Sequence, residues 1–165
     1  MIWFTADTHF GHKGIIDHCS RPFSSVEEMD ESILSTINKL VQPNDTLIHL
    51  GDFCWLEKNL PTYFGSINCL NKHLVIGNHD DKSAKKYFDS VKDIWYFRHN
   101  NRKIALCHYP FHSWRRGWFH LHGHCHGTAP VKPGRIDIGW DVWKRPVSFD
   151  EIIETFDSQP PMEKY

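Results

Sequence analysis

Five short fragments of the 165-residue chain carry side chains that bind metal ions: 7-DTH-9, 51-GD-52, 77-GNHD-80, His108, and the row 119-FHLHGHCHG-127, with histidines at 120, 122, 124 and 126. Their carboxylate, amide and imidazole donors form a hard-to-borderline set suited to divalent first-row metals rather than to a thiolate cluster. The chain holds 13 histidines, and imidazole is both the commonest metal ligand and the side chain that titrates near neutrality, so the excess favours a metal site. Any single fragment also fits a plain turn, because Asp, Asn and Gly are turn residues. On an extended strand the four histidines of the row would share one face, spaced about 6–7 Å apart. Which of them bind depends on what positions the other fragments.

Each fragment follows a short apolar, β-prone run. The runs are 1-MIWFTA-6, 46-TLIHL-50, 73-HLVIG-77, 103-KIALC-107 and 119-FHLHG-123, with two more at 94-IWYF-97 and 135-RIDIG-139. Between the first three lie a helix over 26–41, with Met29, Ile33, Leu34, Ile37, Leu40 and Val41 in one apolar stripe, and a weaker helix over 58–67. A last helix over 148–156 starts with a capping-box pattern, Ser148 and Glu151. Strand alternating with helix argues for an α/β fold, and the later strands with little helix suggest a second, more antiparallel sheet. In open α/β sheets the crevice beyond the C-terminal strand ends is where ligands bind, so distant fragments can converge there. Glycines at 51, 77 and 123 would let the backbone turn sharply at that edge. Asp, His and Asn gathered there would be costly to bury unpaired, and a binuclear metal centre pairs them.

The length fits one domain, read as 1–157 with a loose C-terminal tail at 158–165. With 19 basic and 20 acidic residues the formal charge is -1, so no global field draws the chain to nucleic acid or an anionic membrane. No apolar run approaches the roughly 20 residues of a spanning helix, and the start lacks a basic leader, which predicts a cytoplasmic protein with no membrane partner. Five cysteines with no CxxC pair suit free thiols in a reducing compartment.

The ordered series D-x-H, G-D, G-N-H-D, H and G-H-x-H, from Asp7 to His126, resembles the calcineurin-like metallophosphoesterases. The segments DTHFGHKGII and 137-DIGWDVWKRPVSFDEI-152 look like a small prokaryotic and phage branch of that family. The resemblance implies a four-layer α-β-β-α sandwich of two mixed sheets flanked by helices. It implies that Asp7, His9 and His126 hold one metal, Asn78, His108 and His124 a second, and that Asp52 bridges them, with His79 a catalytic group just outside. His124 and His126 are then the ligands of the row, reached by strand spacing, while His120 and His122 are strand histidines bonded to neighbouring backbone or carboxylates. Two divalent ions are implied; Mn, Fe, Zn, Co and Ni all suit the ligands, with manganese the expected occupant. Cys54 and Cys125 adjoin ligands and would shift the preference toward zinc if they took part, but alternation turns Cys125 away, so it reads as a small buried hydrophobe. Protein phosphatases of the superfamily carry GDxxDRG and GNHE, where this chain has 51-GDFCW-55 and 77-GNHD-80, which argues against a phosphoprotein substrate.

The implied activity is hydrolysis of a phosphate ester by a metal-bridging hydroxide, with His79, oriented by Asp80 or another carboxylate, stabilising the transition state or protonating the leaving oxygen. Charge counting leans toward a diester, since a monoester dianion would want extra cations such as Lys13, Arg21, Arg115 or Arg116. The expected substrate is a nucleotide, a cyclic nucleotide or a nucleic acid end. His12 and Arg21 follow the first ligands and are candidates for phosphate or ribose, although a solvated loop and short helix fit equally. Arg115 and Arg116 lie in 112-HSWRRGW-118, whose mixed aromatic and basic residues suit a stacked base and a backbone phosphate, or simple packing. Asp141 and Trp143 match the branch in pattern only. The alternatives are a phosphomonoesterase of small phosphorylated substrates, a non-catalytic metal-binding module and a degenerate scaffold.

Overall fold

A computed structural model describes residues 1–162. Two mixed sheets with flanking helices form one α/β sandwich, as the resemblance implies. The first sheet comprises β1 (Ile2–Thr5), β2 (Thr46–His49), β3 (Asn71–Val75), β4 (Ser90–Lys92) and β9 (Val147–Ser148), in the order β4-β3-β2-β1-β9. All its pairings are parallel except β1 with β9, and Phe4 stands opposite Ile48. The second comprises β5 (Ile94–His99), β6 (Arg102–Cys107), β7 (Phe119–His122) and β8 (Arg135–Asp137), in that order.

Period-2 alternation splits the core in two. Trp3, Leu47 and Leu74 face α2 (Val26–Leu40) and α3 (Leu60–Ser66), while Phe4, Ile48 and Val75 meet Ile104, Leu106 and Leu121 of the second sheet. Helix α2 buries Met29, Ile33 and Ile37, and Ser25 caps it by accepting from the Glu28 N–H. Helix α5 (Phe149–Ser158) starts with the expected capping box of Ser148 and Glu151, and packs Ile152 and Phe156 between the sheets beside β1 and β9. The region expected as a helix over 58–67 is a 3-10 turn, Glu57–Asn59, leading into α3.

The second sheet is less antiparallel than its helix-poor sequence suggests. Only β5 and β6 run antiparallel, joined by Asn100 and Asn101, both left-handed (φ 45° and 62°), as a two-residue hairpin turn requires. Strands β6, β7 and β8 are parallel. Their crossovers carry no helix, so the usual sequence sign of a parallel pair is missing. The crossover after β6 instead covers the His120 side of β7, with Phe111 stacked on His120 at 4.5 Å and 6°.

The segment 9–23 carries the short helix of the alternative reading, α1 (Lys13–His18), and two short elements besides β4 and β9 have no counterpart in the sequence reading: a 3-10 turn at Lys82–Lys86 and α4 (Trp140–Trp143). The expected tail begins within α5, and the Gln159 side chain accepts from the Gly134 N–H at 2.7 Å. Its last three residues, 163–165, lie outside the described residues. No helix among the described residues is long and apolar enough to cross a membrane.

Candidate metal centre

The parallel strands β1, β2 and β3 deliver their C-terminal ends to one edge, and β6 and β7 bring His108 and the histidine row to the same place. Beyond the strands the chain turns through left-handed backbone at Asp7 (φ 56°), His9 (52°), Asp52 (55°), His124 (71°) and His126 (47°). Outside glycine this region is uncommon and most tolerated by Asn, Asp and His; each such residue stores on the order of 1–3 kcal/mol unless its surroundings hold it. The strand expected to carry all four histidines stops at His122, so His124 and His126 are aimed by this left-handed turn and not by strand alternation.

Main-chain bonds hold the turns. The Asp7 N–H donates to Gly51 O (2.9 Å), His9 N–H to Asp52 O (3.0 Å), Phe10 N–H to Phe53 O (3.0 Å) and Trp55 N–H to Phe10 O (2.9 Å), zipping the loops after β1 and β2 together. Asp80 accepts from the N–H groups of Asp52, Phe53 and Gly77 at 2.8–2.9 Å. Its carboxylate therefore pins two loops instead of orienting the His79 ring. Of the three glycines expected to turn the chain, Gly51 alone is left-handed (φ 96°). Gly77 and Gly123 serve by lacking a side chain: a Cβ at Gly123 would lie 2.5 Å from the Asp7 carboxylate, and one at Gly77 would overlap that of Asp52.

All seven predicted ligands converge. The donor atoms of Asp7, His9 and His126 lie within 4.8 Å of one another, as do those of Asp7, Asp52 and His108. Asp52 Oδ2 stands 3.5 Å from both His9 Nε2 and His108 Nε2. Asn78 Oδ1 is 3.0 Å from His108 Nε2 and 2.9 Å from His124 Nδ1. The His108 Nδ1–H donates to Leu50 O, which orients its Nε2 toward Asp52 and Asn78, and His126 Nδ1 bonds Asp141, which fixes that ring. His79 is exposed, and its N–H donates to Asp52 Oδ1 at 2.9 Å.

The electrostatics fit a cation. Burial pushes the Asp7 carboxyl up to about 7, although His108 and His126 oppose the shift. Burial likewise pushes His9 down to about 3, and its Nε2 is buried without a hydrogen-bond partner. Burial opposes ionisation of Asp52 too, but His108, the His79 N–H and His9 outweigh it and hold the carboxylate below its usual range. A buried carboxylate that resists ionising and an orphaned imidazole nitrogen are both relieved by a divalent ion. Cys19 also lies within 4.8 Å of His126 and Asp141, but burial pushes its thiol up to about 11 and Asp141 is engaged elsewhere.

The predicted substrate residues divide. His12 lines the cavity over the site; Arg115 and Arg116 line a different one, with Trp114 and Lys132. Arg21 is withdrawn from substrate altogether. Its side chain is 1 % exposed, and it donates to the Asp7 and Thr8 carbonyls (2.7 and 2.9 Å) and, through Nε and Nη2, to Asp141 (2.9 and 2.8 Å). Asp141 thus acquires a role the sequence did not disclose, joining Arg21 to His126. His120 and His122 bond backbone carbonyls of Ala105 and Gly123, as expected of strand histidines. Trp55 was missed as a cavity residue, though an aromatic three positions after Asp52 was the available signal.

Two mixed sheets that gather buried Asp7, His9, Asp52 and His108, half-buried His124 and His126 and exposed Asn78 at their C-terminal edge define a metal-binding α/β sandwich. The sequence signature of the calcineurin-like phosphoesterases matches residues 1–157, and the chain belongs to that family. Its members are metal-dependent phosphoesterases, so divalent ions and a phosphate-ester substrate follow for this chain. An uncharacterized protein of Methanocaldococcus jannaschii is 32 % identical over 93 % of this chain and 89 % of its own length. The Gene 66 protein of Mycobacterium phage L5 is 27 % identical, covering 92 % of each. The crystal structure of a protein of unknown function from Aquifex aeolicus superposes with a TM-score of 0.78 at 28 % identity, covering 94 % of this chain and 98 % of that one.

Proposed function

We propose that the protein is a phosphodiesterase acting at a two-metal centre on a nucleotide, a cyclic nucleotide or a nucleic acid end. Asp7, His9 and His126 would hold one ion, Asn78, His108 and His124 the other, and Asp52 would be shared, a reading supported by its equal 3.5 Å approach to His9 and His108. Bound divalent ions supply Lewis acidity toward phosphoryl oxygens and lower the pKa of water. The chain's own groups do the rest. Asp141 and Leu50 O fix the rings of His126 and His108, and the Arg21 clamp holds the Asp7 turn. His79 would give a proton to the leaving oxygen, a role supported by its tether through its N–H to Asp52 and its opening to the cavity. Manganese remains the metal we favour, and a cytoplasmic location the one we expect.

The preference for a diester rests on one observation: the cavity of about 400 Å³ over the site is lined by histidines, Asp52, Asn78 and apolar groups, without a lysine or arginine. A monoester dianion brings one more negative charge than a diester, and of the cations that could answer it Arg21 is buried at Asp141, Arg115 and Arg116 line the other cavity, and Lys13 is exposed outside the lining. The test is turnover of the manganese-loaded protein on matched monoesters, linear diesters and 2′,3′- and 3′,5′-cyclic nucleotides. Faster turnover of diesters is expected. A reversed ranking would move the assignment to a phosphomonoesterase, and no hydrolysis despite bound metal would make the protein a metal-binding module.

A further inference from the structure

At the mouth of the same cavity stands a ring stack that the metal chemistry does not use. The Trp55 indole lies 3.8 Å from the His12 imidazole at an interplanar angle of 7°. His79 is 4.8 Å from Trp55 and 6.3 Å from His12. Those three separations put His79 beside the indole edge, at about a right angle to the stacking direction, and so away from the indole's second face. Trp55 is 40 % exposed, which for a large aromatic at a binding cavity is an unsatisfied apolar surface.

The stack is built to stay in place. The Trp55 N–H donates to Phe10 O, and Phe10 pairs with Cys54 in a parallel bridge, so both rings ride on the zipped loops that carry His9 and Asp52. The Gly11 N–H donates to the Asp30 carboxylate (3.1 Å to each oxygen), which also accepts from Tyr63 Oη at 2.6 Å. The loop under His12 is thereby tied to α2 and α3. A pre-placed flat ring gives up little entropy on binding.

We infer that Trp55, backed by His12, is a stacking platform for the nucleobase of the ester, which makes it the residue that selects nucleotide-type substrates over sugar, lipid or other alkyl phosphates. The fit is chemical. A nucleotide joins a π-face to a phosphate through a ribose, and here a π-face stands at the rim of a cavity whose floor is the metal cluster. Base–aromatic stacking tolerates any base, because every base has such a face.

The inference rests on the phosphoesterase reading only for the phosphate end of the ligand, and its test does not use turnover. The probes are the monomethyl esters of two non-hydrolysable 5′-phosphonates, monoanions like a diester, one of adenosine and one of methyl riboside, titrated calorimetrically into the manganese-loaded protein. The adenosine compound is expected to bind about 5- to 150-fold more tightly, the value of one stacked base. Trp55→Ala should bring the ratio close to one, whereas Trp55→Phe should keep most of it. A wild-type ratio near one, a ratio that survives Trp55→Ala, or no binding of either phosphonate would overturn the platform. A monoester preference in turnover would overturn only the diester reading and leave the ratio to be measured.

Discussion

Replacing Arg21 by alanine separates two roles for one residue. The sequence alone allows Arg21 to hold substrate; the structure makes it a buried clamp. Its loss would leave the Asp7 and Thr8 carbonyls without their donor and strand Asp141, 5 % exposed, on His126 at 2.8 Å and the half-exposed Lys144 at 3.6 Å. Breaking a buried ion pair from one side costs about 3–5 kcal/mol. The remaining His126 contact argues for the lower end, about 3 kcal/mol. For a domain of this size each kcal/mol moves the midpoint by roughly 2–4 °C, so Tm should fall by roughly 6–12 °C. Urea unfolding followed by far-UV circular dichroism measures the change directly, with an unaltered m-value showing that the unfolded state is the same. Arg21→Lys should rescue little, since an ammonium cannot reproduce the planar fork that spans Asp141 and two carbonyls. Arg115→Ala, exposed and remote, should stay within about 0.5 kcal/mol of wild type. A stable Arg21→Ala protein with normal metal content and a raised KM would refute the clamp and restore the substrate role.

Three further outcomes follow from the same geometry. Asp52→Asn should lower occupancy at both metal positions, read by elemental analysis after dialysis; two ions retained per chain would contradict a shared carboxylate. His124→Ala and His126→Ala should each impair metal binding, whereas His122→Ala and His120→Ala should act through thermal stability. Equal metal loss in all four, with folding intact, would show that the row is one ligand array. His79→Ala should spare metal content and cut turnover by on the order of 10²- to 10⁴-fold, more for a ribose alkoxide than for p-nitrophenolate, which scarcely needs a proton. Equal losses on the two substrates would favour charge stabilisation over proton donation.

Much of this arrangement could be read from residue order, because strand ends in an α/β sheet are marked by where apolar runs stop. Asp7, Asp52, Asn78 and His108 each follow such a stop, and the helices over 26–41 and 148–156 announced themselves by caps and apolar stripes. The failures share a physical cause. Whether an arginine faces substrate or a buried carboxylate 120 positions away is decided by packing, so Arg21 and Asp141 could not be paired from spacing. His124 and His126 reach the cluster by a different route from strand alternation, which ends at His122, where left-handed φ takes over. Parallel strands joined by irregular crossovers leave no periodic trace, and β4 and β9 are too short to show one.

The contacts that complete the site span nearly the whole chain. Asp7 accepts from the His124 N–H, 117 residues away, and Arg21 meets Asp141 across 120. During synthesis the N-terminal half can present Asp7, His9, Asp52 and Asn78, but without three of the imidazoles. Closing such long loops is what makes non-local topologies slow to fold. The complete ligand set is therefore expected to form late, once β7 and α4 have docked. Metal acquisition at the complete cluster would mark the end of folding, and a chain truncated before Asp141, which lacks β9 and α5, should bind metal weakly even if β1 to β4 pair.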